Sequence, residues 1–414
     1  MAISISLEAA RSLEVTKQHL AGKLPQRATS ETILSTIRDL CYIQWDPTDT
    51  VAPSHVIALW SRLGNRFRPS DIDRLLWGEK KLFLHWTPMA AIVLVEDYPI
   101  YSSMMRRYHV SLYDSRGGAI ARTRKFLAEH KDIRKRILSE LKKRGPLQLT
   151  QFQGYVRTKR TDGWSSGSDV SNMLHYLLVS GEVMVVGHQG IQNIWGLPEE
   201  FLPAWVDRKE LTEEEFESEA AQRAIRALGT ASPREIYLYF PRDRYLDLES
   251  TLASLEKRSI IHRVHIEELG ARDERYVHDS DLDLLESIDS DGWEPRMSLL
   301  APFDNLLGDR ARTRRLFSFD YIHENYLPPG KRKFGTFVHP ILWGDKLIGR
   351  VDLRMERPSE ELNVLSVHAE PGAPGKEVSS MLAETIEQLG EFLGAKKVIY
   401  SSSVPASWRS ALHN

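Results

Sequence analysis

The sequence predicts an α+β fold in which three tandem winged-helix units precede a C-terminal antiparallel β-barrel or sheet. Three observations lead there. An amphipathic helix, a short polar-capped helix, a second amphipathic helix and two β-rich runs recur in that order three times. After Trp293 helical spacing gives way to alternating runs. The composition, 42% hydrophobic and 27% charged over 414 residues, is ordinarily globular. That length accommodates about two to four structural units.

The first copy, 29–95, is the least regular. Ile33, Ile37 and Leu40 stripe its first helix, and Val56, Leu59, Trp60 and Leu63 its second. A third helix starts near Ser70, and 81–85 with 91–95 supplies the wing. The second copy is the clearest, with Ile133, Ile137, Leu138 and Leu141 at helical spacing before the Gly145-Pro146 stop. A short segment at 149–156 follows. Ser168 or Asp169 then caps a helix carrying Val170, Met173, Leu174, Leu177 and Leu178, and 182–186 with 191–195 reads as a hairpin. In the third copy Ala224, Ile225 and Leu228 end a helix at Gly229, and Ser232-Pro233 starts a short one. Leu248, Leu252 and Leu255 stripe the next helix, and 260–266 with 275–278 forms its hairpin.

The strand-rich end begins with alternation at 335–342 and 347–355, turned at Gly344-Asp345. A strand at 362–368 follows, then a helix with Val378, Met381, Leu382, Ile386, Leu389 and Leu393 inward, then a last strand at 398–401. Four segments result: 1–103, the first winged helix; 104–206, a basic linker helix with the second; 207–295, the third; and 296–414, the sheet with its packed helix.

Charge narrows the function. The totals, 55 Lys+Arg against 57 Asp+Glu, give a formal net of −2. Locally, 104–160 holds 16 bases and 4 acids, and 301–357 holds 11 and 7. Acids dominate 207–220 and 267–294, which points the third copy away from phosphates. So uneven a distribution suits a polyanionic partner on one face. No apolar run approaches the ~20 residues of a membrane span. The N-terminus lacks the basic-then-apolar pattern of a secretory signal, and the single cysteine, Cys41, fits a reducing compartment.

Familiar catalytic signatures are missing: no Gly-rich phosphate loop, no Gly-x-Ser-x-Gly, no His-Glu-x-x-His and no paired Cys-x-x-Cys. His262 and His265 fall on opposite faces of a strand, which argues against a metal. What remains is Gln44-Trp45-Asp46-Pro47 at the end of an apolar helix. Pro47 biases Asp46 toward an extended backbone, with Gln44 and Asp46 on one side and Trp45 on the other. A carboxylate and a carboxamide so placed can hold one water. Equally, Asp46 can begin a turn while Gln44 caps the helix.

At these residues the chain resembles the YcaQ/AlkZ-type winged-helix DNA glycosylases. One block is Gln44-Trp45-Asp46 with Ser54-His55-Val56-Ile57-Ala58-Leu59-Trp60-Ser61-Arg62-Leu63-Gly64. Another runs from Leu299-Leu300-Ala301-Pro302-Phe303-Asp304-Asn305-Leu306 through Asp309-Arg310-Ala311-Arg312 to Gly344-Asp345 and Gly349-Arg350-Val351-Asp352. The family's usual Arg-Ala-His-His reads Pro53-Ser54-His55-Val56 here. The resemblance implies three winged helices around a β-barrel that enclose a DNA channel. It implies hydrolysis of the N-glycosidic bond of N-alkylated purines, with interstrand crosslinks as further substrates. Gln44 and Asp46 would be catalytic. His55, Arg62, Arg66, Lys331, Arg332, Arg350 and Arg354 would meet phosphates or a groove, unless each arginine is instead paired with an acid such as Asp352 or Glu356. The turns at 331–335 or 344–345 would enter the groove. The implied enzyme is a monomer on double-stranded DNA, needing no metal or other cofactor, in the cytoplasm with the nucleoid. Its rival is a non-enzymatic winged-helix DNA-binding regulator, or an inactive scaffold of the same fold.

Overall fold

Polar side chains start the helices where the sequence puts them. The computed structural model describes residues 3–412 except 88, 108–118, 154–167, 191, 243, 271, 290–291 and 402. Thr29 caps Ser30–Leu40, and Asp247 caps Leu248–Lys257. Ser232 and Glu235 close a capping box on Pro233–Tyr239. Of the two candidates for Asp169–Val179, Ser168 is the cap, accepting from the Ser171 N–H at 3.3 Å. Parts of the basic stretch 104–160 (108–118 and 154–160), part of the segment 149–156, and Ile191 lie outside the described residues.

The chain packs as two units: Met1–Pro69 with Ala221–Phe240 and Asp247–Asn414, and Ser70–Ala220 with Pro241–Leu246. This partition follows packing rather than the repeat, and it cuts the first copy after its second helix.

In the first unit, Ile3–Ile5 runs parallel to Ile261–Ile266, which pairs antiparallel with Arg275–His278, and that strand with Thr230–Ala231. The third winged helix thus has its expected hairpin and gains an N-terminal strand. The helix after that strand, Leu7–Lys17, buries Ala9, Ala10, Leu13 and Val15 in a core shared with Leu306, Leu316, Phe319 and Leu342. Its apolar stripe includes a buried acid, Glu14, which obscures it in the sequence.

The C-terminal sheet runs Met297–Leu299, Val338–Trp343, Lys346–Glu356, Glu361–Ala369, Lys397–Tyr400. Bulges at Ile341/Leu342 and Asp352/Leu353 curl it into a half-barrel. Its last strand corrects the antiparallel expectation. Lys397–Tyr400 lies parallel to Glu361–Ala369, because the helix Lys376–Phe392 carries the chain back over the sheet between them.

The second unit holds a sheet ordered Ala90–Leu94, Leu82–Trp86, Met184–Gln189, Gln192–Gly196, Leu147–Gln148. Two copies contribute to it, with Leu84 in register with Val185. The wing expected of the first copy is therefore no free hairpin. Leu82, Phe83, Leu84, Ala91, Ile92 and Val93 are consecutive buried residues, apolar on both faces, and such strands need cover on both. Behind the sheet, Lys131–Arg144 and Asp169–Val179 pack through Ile137, Leu141, Met173 and Leu177.

No helix among the described residues is long and apolar enough to cross a membrane.

Candidate active site

The helix Ser30–Leu40 ends at Cys41, whose φ of +66° turns the chain sharply into the short strand Ile43–Gln44. Residues distant in sequence fix this turn. Asn305 donates to the Tyr42 carbonyl at 2.9 Å, and the Tyr239 hydroxyl donates to the Leu40 carbonyl at 2.9 Å. Beyond Gln44 the chain stays irregular until Ser54–Leu63 begins. The loop is held at both ends. The Ser54 N–H reaches the Asp46 carbonyl at 3.2 Å, and the Met355 N–H reaches the Thr50 carbonyl at 3.0 Å. Arg357 grips Asp49 at 2.6 Å and the Val51 carbonyl at 3.3 Å. Asn305 lies within the resemblance block, but nothing in the sequence singles out Tyr239 or Arg357 as supports.

Within this frame Gln44, Trp45 and Asp46 are half-buried. Trp45 stacks on His55 with ring centroids 4.2 Å apart and planes 17° apart. The Asp46 Oδ1 accepts from the Thr48 N–H at 2.8 Å, so this residue does begin a turn. Its Oδ2 has no hydrogen-bond partner among the described residues, nor does the Gln44 amide. The helix cap is Cys41, not Gln44. One carboxylate oxygen and one carboxamide are thus available to a ligand, and a base and a water-orienting group need nothing more.

His323 adds a feature that nothing in the sequence marks. It is 5% exposed, and Phe303, Tyr326 and Phe337 meet its ring edge-to-face at 4.5, 5.3 and 5.4 Å. Neither ring nitrogen has a hydrogen-bond partner among the described residues. Burial holds its proton affinity below the usual histidine value, Asp46 pulls it back up, and Arg310 lowers it again. Burial and the Asp46 charge together raise the Tyr326 hydroxyl. His339, on the neighbouring strand, is pushed down to about 4 by burial, with His323 adding to the effect despite a bond to the Leu300 carbonyl.

The residues expected to meet DNA separate into two groups. His55 is 6% exposed beneath Trp45, a place from which it steadies the tryptophan instead of reaching a phosphate. Arg62 has a fully buried side chain, bonded to both Asp304 oxygens at 2.7 and 2.9 Å. Arg350 is buried between Phe319 and Phe334, 4.2 and 4.1 Å from the ring centroids, and pairs with Glu370. Arg332 ties its own loop, donating to the Leu327 carbonyl at 3.0 Å and the Thr336 hydroxyl at 2.9 Å. The side chains of all four are engaged within the fold, those of His55, Arg62 and Arg350 buried and that of Arg332 half-buried. Arg66, Lys331 and Arg354 are exposed. Arg66 donates to the Gln26 carbonyl, and Arg354 lies 4.0 Å from Glu356.

The two turns differ as well. Gly344 and Asp345 are buried, with Asp345 bound by Arg11 at 2.6 Å, which removes this turn as a groove-entering element. Lys331, by contrast, is exposed in its loop.

Comparison with known proteins follows the same lines. The family model described as DNA glycosylase AlkZ-like matches residues 37–392. Among solved structures, the Streptomyces sahachiroi DNA glycosylase AlkZ aligns over 97% of this chain and 100% of its own, with a TM-score of 0.65 and 13% identity. At that identity the structural likeness shows a common fold.

Proposed function

From the premise that this chain belongs to the AlkZ-like DNA glycosylase family and is a DNA N-glycosylase, we propose that it hydrolyses N-alkylated purines monofunctionally, with Asp46 and Gln44 as its catalytic pair. One observation carries the reading: among the described residues, none hydrogen-bonds the Asp46 Oδ2 or the Gln44 amide of this half-buried loop.

The chemistry follows from the leaving group. An N7-alkylguanine is cationic and departs as a neutral base, so it needs no general acid, unlike an ordinary glycoside. The glycosidic electron pair goes to the purine N9 and leaves an oxocarbenium-like sugar. Asp46 stabilises that cation by its charge and takes a proton from the attacking water, whose oxygen bonds to C1′. Gln44 orients the water through one donor and one acceptor. No amine nucleophile takes part, so the product is an abasic site in an uncut strand. The Thr48 N–H on Oδ1 keeps the carboxylate aimed while Oδ2 works.

Trp45 pinned on His55 gives the pair a rigid backing. Arg66, Lys331 and Arg354 are the exposed cations we assign to phosphates. We assign the catalytic motif to segment 1–103 and the main DNA grip to 104–206, in a monomer that works on chromosomal DNA in the cytoplasm. Crosslinked purines fit the same chemistry, since departure of the base does not depend on its being extruded.

Single-turnover release of 7-methylguanine from duplex DNA is the test. Wild type releases the base, and Asp46→Asn is slower by ~10²-fold or more. Fully active Asp46→Asn would overturn the catalytic assignment. A wild type that releases nothing but binds a defined operator would make the chain a winged-helix regulator.

A further inference from the structure

We propose that Arg357 is a positioning residue of the glycosylase site: it latches the loop of Asp46 to the C-terminal sheet and so fixes where that carboxylate points. The inference rests on the catalytic reading of Asp46 given above.

The loop from Trp45 to Pro53 has little means of holding its own shape. It forms no helix or strand, and Pro47 and Pro53 have no N–H to donate. The Thr48 N–H meets the Asp46 Oδ1 at 2.8 Å, and the Ser54 N–H closes the base of the loop on the Asp46 carbonyl at 3.2 Å. Between Asp49 and Val51 the loop is fastened by the sheet.

The sheet offers an attachment there for a structural reason. The strand Lys346–Glu356 outruns its neighbour Val338–Trp343, whose first residue, Val338, lies opposite Asp352. Beyond that point the backbone groups on this edge need other partners, and the Met355 N–H takes the Thr50 carbonyl at 3.0 Å. On its other edge the strand stays paired to its end, Glu356 opposite Glu361. Arg357 therefore leaves from a fixed hairpin. Its Nη2 donates to the Asp49 Oδ1 at 2.6 Å and to the Val51 carbonyl at 3.3 Å. Asp49 directly follows Thr48, whose N–H holds the Asp46 carboxylate.

Arg357 and Asp49 are both about half exposed, and exposed pairs add little to global stability. Aim is more sensitive, since a catalytic group displaced by about 1 Å loses up to ~10² in rate. The latch thus bears on the bound complex far more than on folding. A cation beside the site has one competing use, contact with a phosphate. That use changes affinity and its salt dependence, whereas positioning changes the rate once DNA is bound.

Single-turnover release of 7-methylguanine by the full-length protein, titrated with enzyme, separates the two. Arg357→Met should lower the rate at saturating enzyme by ~10-fold or more and leave the half-saturating concentration within about twofold. Arg357→Lys, which keeps the charge without the fork, should fall between the two. The melting temperature should stay within about 2 °C of wild type. An unchanged saturating rate overturns the proposal, and if binding is also weaker, with a salt slope smaller by about one, Arg357 is a phosphate contact. Hydrogen exchange of the free protein, read by mass spectrometry, follows the loop without substrate: Arg357→Met should speed exchange at 46–54 several-fold. Unmoved exchange there overturns the latch whatever the substrate. Faster exchange, together with a wild type that releases no base, upholds the latch and overturns the glycosylase reading instead. Asp49→Ala breaks the same pair from the loop side and replaces Arg357→Met if that variant melts below the assay temperature, with the same fall in saturating rate expected.

Discussion

Arg62 donates to both oxygens of Asp304, to the Ala58 carbonyl at 2.8 Å and to the Gln18 carbonyl at 2.8 Å, with no exposed side-chain surface. Such a residue works on stability. Arg62→Met should cost about 3–5 kcal/mol, because Asp304 is left as an uncompensated buried charge. Urea unfolding measures the loss, and adding Asp304→Leu should recover part of it. If Arg62→Met instead left stability intact and weakened DNA binding, a phosphate role would be restored. The sequence could not separate these roles, since an arginine on an amphipathic helix reads as surface until its acid, over two hundred positions away, is known.

The same holds for a second buried cluster. Arg312 bonds Glu14 at 2.8 Å and Glu235 at 2.6 Å, and Arg275 bonds Glu235 at 2.7 Å and Asp273 at 2.6 Å. Burial raises Glu235, but the guanidiniums of Arg312 and Arg275 outweigh it and bring the carboxyl to about 2. A folded value below the unfolded one gives stability that is complete above about pH 4.5 and lost as pH falls toward 2. The stability gap between wild type and Glu235→Gln should accordingly narrow over that window, as read by denaturant midpoints at stepped pH. A gap that widened on acidification would contradict the pairing.

At the scale of elements, legibility followed how local the signal is. The helices carrying Ile33 and Ile37, Val56 and Leu59, or Ile137 and Leu141 were visible from spacing alone, because each buries one apolar stripe. The loop proposed as catalytic was visible as a motif, but its supports were not. Tyr239, Asn305 and Arg357 reach it from far along the chain, and His323 gains its meaning only from Phe303 and Phe337 folded around it. The first wing was legible as a hairpin, Leu82–Trp86 pairing antiparallel with Ala90–Leu94, but its joining to a strand of another copy was not, because hydrophobic runs do not name their partners.

The loop that carries Lys331 is sensitive to a single change. Gly335 sits at φ +142°, and a Cβ there would fall 2.1 Å from the Asp352 carboxylate, which accepts from the Phe337 N–H at 3.2 Å. Gly335→Ala therefore has both a strained backbone and a steric clash with a bonded side chain. A loss of about 2–4 kcal/mol should follow, seen in the urea midpoint, with Lys331 displaced and duplex binding weakened alongside. Wild-type stability in this variant would mean that the loop accommodates a side chain, and the tight approach would carry no weight.

For the whole molecule the net charge of −2 is the wrong quantity, and the structure sharpens which regional charges matter. Much of the surplus in 301–357 is internal: Arg312 and Arg350 are buried, while Arg314, Arg315 and Arg357 pair with Asp320, Asp273 and Asp49. The acidic run 267–294 is likewise partly consumed, with Asp273 and Asp281 holding Arg275, Arg315 and Lys17. Helix Lys131–Arg144 is different. It buries Ile137 and Leu141 on one side, and its Lys131, Lys135, Lys142 and Lys143 are exposed without an ion-pair partner among the described residues. Unpaired surface lysines are the groups that release counterions when they meet phosphates, at a slope of roughly 0.9 per phosphate in log K against log salt. Replacing all four by Gln should reduce the slope for undamaged duplex by about 2–4, and weaken binding at low salt far more than at high salt. Fluorescence anisotropy over a salt series measures both. If the slope stayed at the wild-type value while the melting temperature was unchanged, this helix would not face DNA, and the polyanion-binding surface would have to be sought among Arg66, Lys331 and Arg354.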